Sequence, residues 1–268
     1  MKNEDIFMEP TVQHVEFTSA TSNVLLRGRF VLPSSPSWNL PLVIMLTGDG
    51  PKGTKSLSWA NMPPRLCSYG IASFLFDFEG LGYSEGERSK LTVSRGIDNF
   101  KAAFTLARSQ GWVDTERIGI FAASFGATVA LLQPDIVNQA KLVGLKSPAS
   151  FLADAYANEC SVGELDKWIK DGFSSELGYD IEVLQDALRH NVYSCTQKIH
   201  SKTLISHGNN DEIVPFHQSK FLLATLQGEK HLEVFPNVGH NYSEEGAWEK
   251  MASLFISWFH NGFVMPNN

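Results

Sequence analysis

Three side chains of this sequence have the types and order needed for a nucleophile, a base and an acid. Ser124 follows the apolar, β-prone run 117–123 and precedes Gly126 and a run with helical potential. That order predicts a nucleophile elbow, a sharp strand-to-helix turn whose small flanking residues leave the serine hydroxyl exposed. A hydroxyl is a weak nucleophile near neutral pH and needs a neighbouring base to take its proton. The chain must therefore bring a histidine and an acid to the same place.

Asp211 and His240 are the candidates for the acid and the base. Asp211 lies in the turn after the β-prone segment 202–206, and His240 lies in the loop after the segment 231–235. The carboxyl ends of parallel strands meet at one edge of a sheet, where such folds carry their functional residues. The order serine, aspartate, histidine therefore predicts that the three side chains come together at that edge.

Other interpretations of neighbouring residues remain open. Glu212 is the alternative acid, and His207, at the end of a predicted strand, is interpreted as structural. The stretch 48–56 (GDGPKGTKS) is similar to a phosphate-binding loop, but Thr54 occupies the position of the required lysine. A nucleotide hydrolase is therefore a minor alternative, and it leaves the ordered serine, aspartate and histidine unexplained.

Strands alternate with helical patterns along the chain, which predicts an α/β fold. Continuous apolar runs are typical of strands buried on both faces, so we expect a mostly parallel central sheet with helices on both faces. The predicted strands are 13–18, 24–32, 41–47, 70–77, 117–123, 141–146, 202–206 and 231–235, and the clearest helices are 92–108 and 243–259.

One interval breaks this alternation. Residues 147–201 form a connection far longer than a usual crossover, rich in aromatic and charged residues with several short helical patterns. The pattern predicts a helical cap insertion at 147–201, with a core built from 1–146 and 202–268.

Composition narrows the class of protein. The 268 residues suit one large α/β domain, and 43% hydrophobic with 19% charged residues is ordinary for a soluble protein. A net charge of -7 disfavours nucleic acid or an anionic membrane as a partner. The three cysteines lack metal-like spacing, and we find neither a signal core nor a membrane-spanning run, so we expect a cytoplasmic protein with reduced thiols.

Taken together, these motifs resemble those of the α/β-hydrolases, and in particular of small bacterial serine esterases and acyl hydrolases with a short helical cap. The resemblance extends over residues 24–258, nearly the whole chain. Five markers occur in the expected order: TGDG at 47–50, DFEGLGYS at 77–84, AASFG at 122–126, HGNND at 207–211 and GH at 239–240.

The resemblance implies a serine hydrolase that cleaves a small-molecule carboxylic ester or thioester through an acyl-enzyme. It makes Ser124 the nucleophile, His240 the general base and then acid, and Asp211 the residue that orients the imidazole. It places the oxyanion hole at the backbone N–H groups of Phe125 and Asp49. It implies neither a cofactor nor a metal, and it makes no prediction of oligomeric state.

Two departures from the family pattern affect this expectation. Ala122 stands where the elbow usually has glycine, and Thr47 stands where the oxyanion loop usually has histidine. The Asp49 carboxylate would repel a developing oxyanion, so we predict that this side chain points away from the site. The altered loop keeps a catalytically weak ligand-binding protein as an alternative, beside a thioesterase, peptidase or amide hydrolase on the same scaffold.

Overall fold

The computed structural model describes residues 9–19, 21–34 and 38–264. The strands in these ranges are β1 (Thr11–Thr18), β2 (Leu25–Leu32), β3 (Leu40–Leu46), β4 (Ala72–Phe76), β5 (Val113–Ala123), β6 (Leu142–Lys146), β7 (Phe173–Ser174), β8 (Tyr179–Asp180), β9 (Lys202–Gly208) and β10 (Lys230–Phe235). The helices are α1 (Leu57–Cys67), α2 (Val93–Arg108), α3 (Phe125–Leu131), α4 (Pro134–Val137), α5 (Leu152–Glu159), α6 (Glu164–Asp171), α7 (Ile181–Ala187), α8 (Tyr193–Thr196), α9 (His217–Thr225) and α10 (Ala247–Val264).

Eight strands form one sheet in the order β1-β2-β4-β3-β5-β6-β9-β10. The β1–β2 and β2–β4 pairs are antiparallel, and every pair from β4 to β10 is parallel. The predicted α/β class with a mostly parallel sheet is therefore confirmed. This order places β5, β6, β9 and β10 side by side, so that the loops after them meet at one edge.

Helices cover both faces of the sheet, which explains why its central strands are apolar throughout. All seven residues of β3 are buried. On one face α1 and α10 contribute to an apolar cluster that includes Phe121 and Phe255. On the other face α2 and α3 contribute to a second cluster that includes Phe100 and Phe125. A strand between two such layers must be apolar on both sides.

The ends of several elements differ from their predicted positions. β5 begins at Val113 rather than 117, because Val113 pairs with Leu40 before a bulge in the β3–β5 register. Its polar residues 114–117 are not buried, which concealed the strand from an analysis based on apolar runs. The last helix begins at Ala247, not 243, after a turn in which Gly246 has a φ of 71°.

Residues 147–201, the predicted cap, contain α5 to α8 and the short β7–β8 hairpin. Tyr156, Trp168 and Tyr179 are almost fully buried inside this segment. It is anchored to the core at the start of α2, where the amide and hydroxyl of Ser94 donate to the Asp186 carboxylate at 2.9 and 2.7 Å. The outermost residues of the predicted core, 1–8 and 265–268, lie outside the described ranges.

Across those ranges, no helix combines the length and the apolarity that crossing a membrane requires.

Candidate active site

Ser124 occupies the turn between β5 and α3 in a conformation unusual for a residue with a side chain. Its φ of 47° and ψ of -117° belong to the region that favours glycine. Its amide still continues the sheet by donating to the Lys146 carbonyl at 3.1 Å. The chain then reverses directly into α3, so the half-buried serine stands at the carboxyl edge of the sheet. A sharp strand-to-helix turn with the serine at its apex is what the predicted nucleophile elbow requires.

Close packing under the elbow explains the small residues that flank Ser124. A Cβ atom on Gly126 would lie 2.4 Å from the Thr47 carbonyl oxygen and 2.8 Å from that of Leu46. Helix α3 can therefore approach the end of β3 only with glycine at that position. Ala122, which replaces the usual glycine two residues before the serine, is fully buried within the core. The fold accommodates this methyl group without loss of the turn.

The carboxylate of Asp211 is fixed by four polar contacts. Oδ1 accepts hydrogen bonds from the amides of Ile213 at 2.9 Å and Val214 at 2.8 Å. Oδ2 lies 2.8 Å from Nδ1 of His240 and 3.0 Å from Nε2 of His207. The side chain is fully buried. The loop after β9 thus presents a carboxylate of fixed orientation to the imidazole of His240.

His207 is the second histidine on this carboxylate. Its Nε2 also lies 3.1 Å from the Val214 carbonyl, and its Nδ1 lies 2.6 Å from Oγ of Ser219. Two acceptors beside Nε2 assign the proton to that nitrogen, so in the neutral ring Nδ1 accepts from the Ser219 hydroxyl. His207 therefore has a structural role, as its position predicted, and it also donates directly to the candidate acid.

These contacts determine the charges of the acid and the base. Burial raises the pKa of Asp211, but the hydrogen bonds from His207 and His240 outweigh it and bring the pKa far below its usual range. Burial lowers the pKa of His240, and the positive charge of Lys146 lowers it further, against the opposing effect of Asp211. Near pH 7 Asp211 is ionised and His240 is neutral. With its Nδ1 proton donated to Asp211, His240 retains a free lone pair on Nε2.

The candidate oxyanion hole lies against the elbow. The loop after β3 contacts the serine, since a Cβ atom on Gly48 would lie 3.4 Å from Cβ of Ser124. In the described part of the chain, the amides of Phe125 and Asp49 donate no hydrogen bond, and the Ser124 hydroxyl has no hydrogen-bond partner. The Phe125 amide directly follows Ser124 in the chain, and the Asp49 amide directly follows Gly48, the residue that contacts Ser124. Catalytic hydrogen bonds are often long or absent before substrate binds.

The side chain of Asp49 is bonded to the predicted cap. Its Oδ2 accepts hydrogen bonds from the hydroxyls of Tyr179 at 2.8 Å and Tyr156 at 3.2 Å. Among the residues that the structure describes, none of its hydrogen bonds involves Ser124. Neither tyrosine was singled out as a functional residue from the sequence.

The matching family model is that of the prolyl oligopeptidase family (peptidase family S9), and it covers residues 70–265. The chain belongs to the prolyl oligopeptidase family. This membership identifies it as an α/β-hydrolase, as the resemblance implied, and supports serine-hydrolase activity in general.

This prolyl oligopeptidase family member has sequence relatives of moderate identity and solved structures of similar fold but low identity. An uncharacterized protein of Mycobacterium tuberculosis is 28% identical over 224 residues, which cover 84% of this chain and 71% of that protein. Est1E from Butyrivibrio proteoclasticus, solved with ferulic acid, superposes with a TM-score of 0.82 at 19% identity and covers 94% of this chain and 100% of that one. An acetyl xylan esterase from Paenibacillus sp. R4 superposes with a TM-score of 0.73 at 17% identity. The match covers 96% of this chain and 86% of the esterase. At these identities the two structures support the fold.

Lys146 is a residue of this family member that sequence reasoning missed. It ends β6, is 9% exposed, donates from Nζ to the His240 carbonyl at 2.9 Å and lies 4.8 Å from the centre of the Tyr242 ring. Burial lowers its pKa to about 8, against the attraction of Asp211. The sequence did contain a signal for it, because Lys146 is the one charged residue of an otherwise apolar strand and stands at its carboxyl end.

The alternative sites suggested by sequence find little support in this prolyl oligopeptidase family member. Lys55, which follows Thr54 in the stretch 48–56, donates to the Gly82 carbonyl at 2.7 Å, and the Thr54 amide donates to the Asp77 carboxylate. The loop therefore uses these groups internally instead of around a phosphate. Within the described ranges, no group of three or more His, Cys, Asp or Glu side chains is arranged to hold a metal ion.

Proposed function

We propose that this protein is a serine hydrolase that cleaves a small-molecule carboxylic ester or thioester through an acyl-enzyme on Ser124. The contact of 2.8 Å between Nδ1 of His240 and Oδ2 of Asp211 carries the proposal. It leaves a neutral imidazole with Nε2 available as a base, at the sheet edge where the strained elbow presents its hydroxyl. Family membership and esterase-like folds among solved structures support the same reaction class.

The reaction begins when Nε2 of His240 takes the Oγ proton as Oγ attacks the carbonyl carbon. The carbonyl π electrons move to oxygen, and the resulting oxyanion accepts hydrogen bonds from the amides of Phe125 and Asp49. Loss of one such donor typically costs about 2.7–4 kcal/mol of transition-state stabilisation. Asp211 stabilises the imidazolium during this step.

Collapse of the tetrahedral intermediate breaks the bond to the leaving oxygen or sulfur, which takes the proton from His240. Water then attacks the acyl-enzyme as His240 accepts one of its protons. A second collapse returns that proton to Oγ of Ser124 and releases the carboxylic acid. The Oγ proton thus departs with the leaving group, and a proton from water replaces it, so that Ser124 and His240 regain their starting protonation states.

Covalent labelling by a fluorophosphonate tests the proposal. We expect wild type to label, and Ser124→Ala and His240→Ala to lose labelling. Ser94→Ala is the matched control, because Ser94 also lies near a histidine and a carboxylate, 3.1 Å from Nε2 of His190 and 2.7 Å from Asp186. Its hydroxyl donates to that carboxylate, so it is not activated, and the control should label like wild type.

A substrate series then distinguishes the bond that is cleaved. Family membership favours a peptidase as the second candidate, so the series should combine acyl esters and thioesters of increasing chain length with prolyl peptide amides. Ser124-dependent turnover of peptide amides above that of esters would replace the esterase proposal by the peptidase. Saturable ligand binding in a protein that neither labels nor turns over would favour the ligand-binding alternative.

A further inference from the structure

We infer that two tyrosines of the 147–201 segment, Tyr156 and Tyr179, are positioning residues that hold the Asp49 carboxylate away from the oxyanion hole. The inference rests on the proposed function, because it assigns the Asp49 amide to the oxyanion. It explains how a loop that contains an acidic residue can still stabilise negative charge.

Two phenol hydroxyls converge on one carboxylate oxygen. Oδ2 of Asp49 lies 2.8 Å from the hydroxyl of Tyr179 and 3.2 Å from that of Tyr156. Both tyrosines are at most 2% exposed, and their ring centroids are 5.5 Å apart. Trp168 packs against both, with centroids 6.0 and 6.5 Å away. The two hydroxyls are thus held by packed aromatic rings with little freedom to turn away.

The backbone of the same residue is held from a second direction. Nε of Arg88 donates to the Asp49 carbonyl at 2.9 Å, and its Nη1 donates to the Leu177 carbonyl at 2.7 Å. The guanidinium lies 4.2 Å from the centre of the Tyr179 ring. Arg88 therefore joins the oxyanion loop to the cap hairpin. Asp49 is fixed at its carbonyl and at its carboxylate, which leaves its amide beside Ser124.

The chemistry of the donors suits this role. Burial raises the pKa of Tyr156 and of Tyr179 well above the ordinary value, and the negative charge of Asp49 acts in the same direction. Both phenols therefore stay protonated and keep donating across the working pH range. A carboxylate without these donors is free to turn toward the elbow, where its charge opposes the developing oxyanion in a site with little water.

The test is the double variant Tyr156→Phe/Tyr179→Phe, which keeps both rings and removes only the hydroxyls. We expect kcat to fall by at least about tenfold while KM changes by less than about threefold, because the affected interaction forms in the transition state. Adding Asp49→Asn should restore most of the lost kcat, since the amide side chain has the same size and no charge. Tyr193→Phe is the matched control, because its hydroxyl contacts the Gln218 carbonyl instead.

Three results would overturn the inference: wild-type kcat in the double variant, a loss that Asp49→Asn does not restore, or an equal loss in Tyr193→Phe. The second would mean that the two hydroxyls affect kcat by a route other than the charge of Asp49. If the double variant does not fold, Tyr179→Phe, which removes the shorter contact, carries the same test with the same rescue.

A crystal structure of the double variant gives a readout that does not depend on turnover. We expect the Asp49 carboxylate to leave its position against the cap, and an unchanged position would contradict the inference. Absence of Ser124-dependent labelling in wild type would instead refute the proposed function, so the two failures are distinguishable.

Discussion

Replacing Ser124 with glycine should stabilise the folded protein while removing its activity. Ser124 has a φ of 47° and a ψ of -117°, a conformation that costs a residue with a Cβ atom about 1–3 kcal/mol. Glycine adopts it without steric strain but loses about 0.5–1 kcal/mol more in backbone entropy on folding. Within the described residues the serine hydroxyl makes no hydrogen bond that the change would remove. The expected net gain in unfolding free energy is about 1 kcal/mol.

Ser124→Ala is the control that isolates the backbone contribution. Alanine also removes the hydroxyl and the reaction, but it retains the Cβ atom and therefore the strain. Equilibrium unfolding in urea should give a midpoint for the glycine variant above those of alanine and wild type. In thermal unfolding, about 1 kcal/mol corresponds to a Tm increase of about 2–4 °C for a chain of this size.

Equal midpoints for Ser124→Gly and Ser124→Ala would refute the reasoning. Such a result means that the elbow is not strained in solution, or that the flexibility of the glycine in the unfolded chain cancels the relief. A lower midpoint for glycine would further require that the Cβ atom itself packs favourably. It would then be wrong to explain the conformation of Ser124 as backbone strain that lowers stability but leaves the hydroxyl exposed.

Three further predictions concern the neighbours of the elbow. The pKa of His240 is lowered from about 6.5, so kcat/KM should keep its full value above that pH and fall only as the pH drops through the lowered pKa. Lys146→Met removes a nearby positive charge that lowers this pKa, so it should shift the acidic limb of the pH–rate profile to higher pH. The pKa of Lys146 falls from 10.5 to about 8 on folding, so its buried charge opposes folding below pH 8 and this penalty disappears as the pH rises toward 10.5. Lys146→Met should therefore raise the unfolding free energy at pH 7 by on the order of 2 kcal/mol, after allowance for the lost hydrogen bond, and by much less at pH 10 in matched urea titrations. Gly126→Ala places a methyl group 2.4 Å from the Thr47 carbonyl and should destabilise the fold by about 1–3 kcal/mol, so an unchanged urea midpoint would contradict the close packing described above.

The fold was largely predictable because its strands are buried on both faces. Apolar runs ended by glycine or polar residues identified β3, β4 and β6 within two residues of their observed ends. The start of β5 was missed because residues 114–117 are polar and not buried, and because Val113 pairs with Leu40 before a bulge. The pattern of apolar residues in a sequence predicts which segments are buried, but it does not predict which distant residues pair in a sheet.

The candidate site was predictable only in part, for a related reason. Ser124, Asp211 and His240 follow strand ends, and the sheet order brings those ends together whatever the details of packing. Tyr156 and Tyr179 reach Asp49 across 107 and 130 positions of sequence. The direction of their side chains depends on how the 147–201 segment packs against the loop after β3, which no local spacing in the sequence specifies.

The direct pairing of β6 with β9 has a consequence for how such proteins diversify. Leu142 pairs with Lys202 and Lys146 with Ser206, although the whole 147–201 segment lies between the two strands in sequence. The sheet register, and with it the distance between the elbow and the acid, is therefore independent of what connects the strands. Changes in the length or sequence of this segment are therefore expected to leave the pairing of β6 with β9 in place. A change in this segment that removes Tyr156 and Tyr179 would, however, also remove both hydroxyls that donate to the Asp49 carboxylate.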